Sequence, residues 1–280
     1  MDSPSTAPGL RFCSLSSSSR HGNAYLVGAG NTTILVDYGV PLRRMECLLA
    51  DLAVDPFDID AIFITHEHGD HSHALKIKYP FHLRYGIDHL FSAPLTWNRM
   101  GIPARPPHHP LDPNETVRVG DLRVTGLSKS HDAVQPLGYR IAYEDEVLAV
   151  VTDLGTVDPE MISTLRGSTY LVFESNYDVQ MQEESGRPAS LIQRIIGDQG
   201  HLSNDQAGSS LKRIADSRTR AILLAHLSLD CNTPELATET VARFLRKTAY
   251  AGDLLAAPPD RPSPWLGGKL LPQRRQEGAG

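Results

Sequence analysis

The chain has 280 residues, 40% of them hydrophobic and 21% charged, which is long enough to bury a substantial core and ordinary for a globular protein. Its formal net charge is −6, with residues 256–280 carrying +2 and the remainder −8. An acidic body excludes tight nonspecific nucleic-acid binding through bulk charge, but not a site where bound cations supply the positive field.

No apolar run approaches the roughly 20 residues of a membrane helix, and the opening MDSPSTAPGL has neither a basic nor an apolar stretch of the secretory kind. The three cysteines (Cys13, Cys47, Cys231) are far apart and outside any CxxC pattern. They read as reduced structural thiols of a cytoplasmic protein that does not engage a membrane.

In chain order, residues 1–9 are expected to be flexible. Short runs rich in β-branched residues then recur at 24–30, 32–39, 61–65, 116–119, 122–127, 139–143, 147–152, 170–175 and 221–226. GAGN between the first two and EDE between 139–143 and 147–152 mark hairpins. Helical patterns fall at 41–54, where Leu42, Met45, Leu48, Leu49 and Leu52 share one stripe, and at 203–217 and 233–249, with Ser203 and Thr233 as N-caps. Two face-to-face sheets with helices outside, an α/β pattern over 10–255, satisfy this order. The Pro-rich loop 101–114 is expected to be exposed, its His108–His109 pair solvated. Residues 256–280 read as a disordered Pro/Gly-rich tail.

Residues 64–73, ITHEHGDHSH, break the ordinary texture. They hold His66, His68, His71 and His73, where even spacing of the twelve histidines would put about 0.3 in an eight-residue window. Such crowding with Asp70 suggests metal ligands. A helical HExxH site fails, because position 70 is Asp and Gly69 weakens a helix. In an extended loop His66 and His68 point the same way, while Asp70 and His71 lie beyond the Gly69 turn and can face a second point. The geometry favours two ions a few ångströms apart, a clamp suited to hydrolysis. Further ligands are needed, and His131, Asp153 and His226 stand at or near the ends of expected strands.

HxHxDH at 66–71, followed by His131, Asp153 and His226 after successive strands, resembles the metallo-β-lactamase superfamily. The closer resemblance, over about residues 10–250, is to the WalJ/YycJ (VicX) group of bacterial hydrolases. It rests on VDYG (36–39), THEHGDH (65–71), SHDA (130–133), TDLG (152–155), FESNYDVQM (173–181), GDQGHLSN (197–204) and LAHLSLDCNTPELA (224–237). The resemblance implies a four-layer αββα sandwich holding two divalent ions, Zn²⁺ or Mn²⁺/Fe²⁺. His66, His68 and His131 would hold one, Asp70, His71 and His226 the other, with Asp153 bridging. Glu67 is then read as lying behind the ligands or exposed, and His73 as a surface residue.

Glu174 and His201 match positions that related tRNA-processing ribonucleases use, where an acidic residue orients a histidine that protonates the leaving oxygen. A phosphodiester needs such help, because an expelled alkoxide is a poor leaving group. The expected reaction is attack by a metal-bridging hydroxide with His201 as general acid; the alternative for His201 is a plain cap of helix 203–217. Ser17, Ser19, Arg20 and Asn23, in SLSSSSRHGN (14–23), could offer donors to a phosphate. There Ser18 replaces the relatives' usual Gly and one residue is extra, so a solvated turn is the alternative. Group resemblance implies a nuclease, with 5′-to-3′ DNA exonuclease activity as the family expectation. Alternatives are a small-molecule or cyclic-nucleotide phosphodiesterase, or a noncatalytic metal-binding regulatory partner. Arg43, Arg44, Lys76, Lys78 and Arg84 are only scattered candidates for strand contacts.

Overall fold

In the strand Glu146–Val151, Leu148 and Val150 pack into one apolar cluster and Ala149 and Val151 into another, so both faces are buried. A strand with two apolar faces needs cover on each side, and alternation at period 2 assigns one face to a facing sheet and the other to helices. The computed structural model, which describes residues 9–77, 80–102 and 107–268, supplies that cover.

Its strands are β1 (Arg11–Ser16), β2 (Ala24–Ala29), β3 (Thr32–Val36), β4 (Ala61–Phe63), β5 (Leu90–Ser92), β6 (His108–Pro110), β7 (Thr116–Val119), β8 (Leu122–Ser128), β9 (Leu137–Tyr143), β10 (Glu146–Val151), β11 (Tyr170–Glu174), β12 (Ala221–Ala225), β13 (Asp253–Ala256) and β14 (Leu266–Gly267). The helices are α1 (Leu42–Asp51), α2 (Gly69–Ser72), α3 (Phe81–Arg84), α4 (Pro94–Met100), α5 (Pro159–Leu165), α6 (Val179–Glu183), α7 (Ala189–Ile196), α8 (Asn204–Ile214) and α9 (Pro234–Leu245).

The strands form two sheets, in the orders β14-β1-β2-β3-β4-β5-β6 and β13-β12-β11-β10-β9-β8-β7. Each begins with antiparallel neighbours in chain order and ends with parallel ones, from β3 in the first and β10 in the second. Tyr25, Ile34, Val36 and Phe63 of the first sheet share one buried layer with Tyr139, Ile141, Val150 and Leu223 of the second. A second layer joins Val151, Phe173 and Leu224 to Ile162, Leu211 and Val241 of α5, α8 and α9. A third joins Leu26, Leu35 and Ile62 to Met45, Leu48 and Leu49 of α1. This is the expected αββα order of layers, an α/β fold.

Several elements differ from expectation. β1 has no period-2 contrast to announce it, since Phe12, Cys13, Ser14, Leu15 and Ser16 are all buried. Its RFCSLS run therefore reads as mixed rather than alternating. The three expected helices are shorter, ending at Asp51, Ile214 and Leu245. His108 and His109 form the edge strand β6, where the Trp97 ring stacks on His108 with centroids 4.2 Å apart. Residues 256–268 are not a free tail: Ser263 N donates to Ser14 O (2.8 Å), Ser14 N donates to Ser263 Oγ (3.0 Å), and β14 pairs with β1. They satisfy backbone groups that the edge of β1 would otherwise leave open. Residues 1–8 and 269–280, and with them most of the expected flexible ends, lie outside the described residues, as does Lys78. Among the described residues no helix is long and apolar enough to cross a membrane.

Candidate metal-binding active site

The C-terminal ends of β3, β4, β8, β10, β11 and β12 meet at one edge of the sandwich and deliver Asp37, His66, His131, Asp153, Glu174 and His226. Three of these, Asp37 (φ 64°), Asp153 (φ 56°) and His226 (φ 58°), sit in the left-handed region just past their strands. That conformation costs a non-glycine residue about 1–2 kcal/mol. The surroundings hold it: Asp37 N donates to Phe63 O (2.8 Å) and His226 N to Ser17 Oγ (2.8 Å). The turn lets each chain leave its strand while its side chain swings toward the common centre.

After β4, the loop runs through His66 and His68 into the single helical turn α2, which carries Asp70 and His71. A turn of helix forms despite Gly69 because His71 N and Ser72 N both donate to His68 O. The first group has His66 Nε2 3.1 Å and His131 Nε2 3.2 Å from His68 Nδ1. The second has Asp70 Oδ2 3.3 Å from His71 Nε2 and 3.4 Å from His226 Nε2. Asp153 lies between, with Oδ2 3.2 Å from His71 Nε2 and Oδ1 3.8 Å from His131 Nε2. Ligand atoms of His66, His68 and His131 lie within 4.8 Å of one another, and so do those of Asp70, His71 and His226. All seven residues expected from the sequence are thus brought together. His73 is exposed, and Glu67 turns away to accept from Val134 N (3.0 Å).

The rings are held from behind. Asp37 Oδ2 accepts from Nδ1 of His71 (2.7 Å), and its Oδ1 accepts from Thr65 N (2.8 Å). Glu174, wholly buried, offers Oε1 to Nδ1 of both His201 (2.9 Å) and His226 (3.0 Å). Its Oε2 accepts from Leu154 N (2.7 Å) and Leu202 N (3.2 Å), tying the loop of Asp153 to that of His201. Asn23 N donates to Asp70 O (2.7 Å), and its Nδ2 lies 3.1 Å from both Asp70 Oδ2 and His71 Nε2. Gly39 must lack a side chain, because a Cβ there would run into the Asp70 carbonyl.

These contacts revise the reading of the Ser-rich loop. Ser17 is buried, bonded to Tyr25 OH (2.8 Å) and to His226 N, and Asn23 is buried against Asp70, so both brace the clustered His and Asp residues rather than face the cavity. Of the three, Ser19 lines the cavity. The positive φ that Ser would resist falls instead on Gly22 (φ 88°), and Ser18 does not adopt it. His201 does not cap α8: Ser203 and Gln206 form that cap reciprocally.

Electrostatics follow the crowding. Burial, His71 and Lys129 hold His66 well below the usual imidazole range, and burial takes His131 down to about 4. Burial also opposes charge on His71 and His226, yet Asp153 and Asp70 overcome it, raising His71 well above its ordinary value and His226 to about 10. Against its own burial, Asp153 is held far below the carboxylate range by His226 and His71. Glu174, equally buried, is brought down to about 2 by His201. Four clustered carboxylates thus draw protons onto two imidazoles, and divalent cations would balance the same negative charge in the protons' place. Asp153 Oδ2 is buried with no hydrogen bond of its own, and these oxygen and imidazole donors fit divalent ions.

In front lies a cavity of about 320 Å³ lined by His68, Asp70, His131, Asp153, His201 and His226, with Ser19 and Arg194 at its wall. Three of the scattered cations named from sequence are engaged elsewhere: Arg44 with Asp260 O, Lys76 with Glu67 O and Arg84 with Glu46. Sequence reasoning passed over Asp37, Asp132 and Arg194. The motifs VDYG and SHDA held the first two, while nothing local marked Arg194.

The chain is similar to known proteins to different degrees. A family model described as the beta-lactamase superfamily domain matches residues 32–227. The chain is 33% identical over 243 residues to the exodeoxyribonuclease WalJ of Streptococcus pneumoniae serotype 2 (strain D39 / NCTC 7466), covering 85% of this chain and 88% of that one. It is 33% identical over 247 residues to the exodeoxyribonuclease YycJ of Bacillus anthracis, covering 86% and 91%. Among solved structures, the metallo-beta-lactamase fold protein YhfI from Bacillus subtilis superposes with a TM-score of 0.68 at 16% identity, covering 91% of this chain and 99% of that one. This last likeness is one of fold.

Proposed function

The chain belongs to the metallo-β-lactamase superfamily, and from that premise we propose that it is a metal-dependent phosphodiesterase, a nuclease of the 5′-to-3′ DNA exonuclease type. The observation that carries the reading is the Glu174–His201 pair at the mouth of the clustered ligand residues.

Two divalent ions would be held, one by His66, His68 and His131 and the other by Asp70, His71 and His226, with Asp153 between them. Zn²⁺, Mn²⁺ and Fe²⁺ all suit five histidines and two aspartates. When bound, such ions supply Lewis acidity and make a water nucleophilic at neutral pH.

The chain's own residues do the rest. His201 Nδ1 is committed to Glu174, so Nε2 is the nitrogen left to carry a proton into the cavity. Buried and ionised, Glu174 holds the ring in place as Nε2 gives its proton to the departing alkoxide oxygen. Lactam and thioester hydrolysis need no acid at this position. Asp37, Glu174 and Asn23 hold the rings of His71 and His226 and the Asp70 carboxylate in place from behind. The three cysteines are free thiols, in keeping with a cytoplasmic protein.

The test is an assay of the metal-reconstituted protein on 5′- and 3′-labelled oligonucleotides, single- and double-stranded, with each of the three metals. Stepwise release of mononucleotides from the 5′ end is expected. A net charge of −6 and a cavity of only about 320 Å³ favour a second reading, a phosphodiesterase of small or cyclic nucleotides. Cleavage of bis-p-nitrophenyl phosphate without cleavage of any oligonucleotide would select it. Full metal loading with no turnover of either would remove both.

A further inference from the structure

We infer that Arg194 grips the phosphate of the substrate, and that Asp132 occupies its guanidinium until the phosphate arrives. The inference rests on the phosphodiesterase reading above and names the anchor that reading lacks.

Among the described residues lining the cavity, Arg194 is the one Arg or Lys, set against Asp70, Asp132 and Asp153. An anionic phosphodiester entering this space meets three carboxylates and, any bound ions apart, that guanidinium is the fixed positive charge among the lining residues. Arg194 Nε donates to Asp132 Oδ2 at 2.6 Å while 62% of the Arg194 side chain stays exposed. An exposed pair of this kind contributes little stability and exchanges readily. Asp132 Oδ1 faces the other way, 3.4 Å from His131 Nε2 and 3.9 Å from His68 Nε2, and is buried without a hydrogen bond. The guanidinium is therefore parked one carboxylate away from the ligand residues.

The backbone beneath Arg194 is fixed even though its helix α7 has no buried residue. His201 N donates to Ile195 O (2.8 Å), and Gly200 packs so closely on Ile195 O and Arg194 O that a Cβ would collide with them. Asp132 N donates to Gln199 O (2.9 Å), and Ser130 Oγ donates to Asp198 O (2.6 Å). Arg194 and His201 thus ride on one segment stitched to the loop of His131. A fork of guanidinium donors matches two phosphate oxygens, and the phosphate takes the place of Asp132 in that pairing. The grip and the proton donor are then held at a set spacing by the same short stretch of chain.

The experiment compares wild type, R194A, R194K, D132N and the R194A/D132N double variant, each metal-loaded, on a 5′-phosphorylated oligonucleotide. KM and kcat are measured separately, together with the inhibition constant of inorganic phosphate. Loss of a charge-assisted grip should raise KM and the phosphate inhibition constant about 10- to 100-fold in R194A, leave kcat within a few-fold, and place R194K in between. D132N, which takes away the carboxylate that phosphate must displace, should lower the phosphate inhibition constant, and a raised constant would overturn the role given to Asp132. Wild-type KM and inhibition in R194A overturn the inference. So does an equal defect in R194A, D132N and the double variant, which is what a structural latch between the two residues would give. A wild type that cleaves no phosphodiester with any metal overturns the underlying reading, and this inference with it; a competent wild type beside an unimpaired R194A overturns the inference alone.

Discussion

Asp37 Oδ2 accepts a hydrogen bond from Nδ1 of His71 at 2.7 Å, with both side chains wholly buried. The bond fixes the tautomer of His71 and turns Nε2 toward Asp70 and Asp153, so a residue outside the ligand set decides whether a ligand is usable. Asp37→Asn keeps the shape but offers an amide N–H to Nδ1, which moves the ring proton to Nε2. Metal affinity should fall about 10- to 100-fold, measured by chelator competition, while far-ultraviolet circular dichroism stays native. Full affinity in the D37N variant would show that the tautomer is set elsewhere.

His201→Ala should separate substrates by leaving group. An oligonucleotide expels an alkoxide and needs the proton; bis-p-nitrophenyl phosphate expels a stable phenolate and does not. We expect kcat on the oligonucleotide to drop about 10²- to 10⁴-fold, the nitrophenyl ester to be cleaved within about tenfold of wild type, and metal content to be unchanged. Equal losses on both substrates would count against the acid role.

Metal uptake should release protons. In the metal-free protein His226 titrates at about 10 and His71 well above its ordinary value, both protonated near neutrality despite burial because Asp153 and Asp70 face them. A ligand nitrogen must lose its proton first, so protons compete with metal and raising the pH removes the competitor. Apparent affinity should therefore climb with pH through neutrality and level off only as pH passes about 10 for His226. Calorimetry in two buffers of different ionisation enthalpy would read the protons directly. Binding that is independent of pH between about 6 and 9 would contradict the charge assignment.

Gly39→Ala should be costly although the substitution adds one methyl group. Its Cβ would meet the Asp70 carbonyl, which also accepts from Asn23 N. We expect a loss of about 2–3 kcal/mol in urea unfolding together with reduced metal content, since moving Asp70 moves a ligand. Gly69→Ala, which meets nothing within 4 Å, is the control and should leave the fold and metal content intact.

The residues that cluster at the site were legible in the sequence because their chemistry is local: His66, His68, Asp70 and His71 crowd one short stretch, and His131, Asp153 and His226 each follow a strand that its β-branched residues announce. The supporting residues were less so. Asp37 looks like any acid after a strand until Thr65 and His71 close around it. Ser17 and Asn23 carried the right polarity for phosphate contacts but are buried against His226 and Asp70. Arg194 lies on a helix that composition did not single out, 62 positions beyond Asp132 in the chain.

By itself, then, the amino-acid order determined the β-branched strands β2 to β4 and β7 to β12, the two sheets they imply and the identity of the residues that gather at their ends. Those features follow from neighbours within a few residues, where side-chain chemistry and backbone preference act directly. Only the tertiary structure decided which polar groups face the cavity and which stand behind it. That choice depends on the left-handed turns at Asp37, Asp153 and His226, and on hydrogen bonds spanning as many as 209 positions, from Ser17 to His226. A chain read in order contains both partners of such a bond but not the distance between them, which exists only once the buried layers bring the strand ends to one edge.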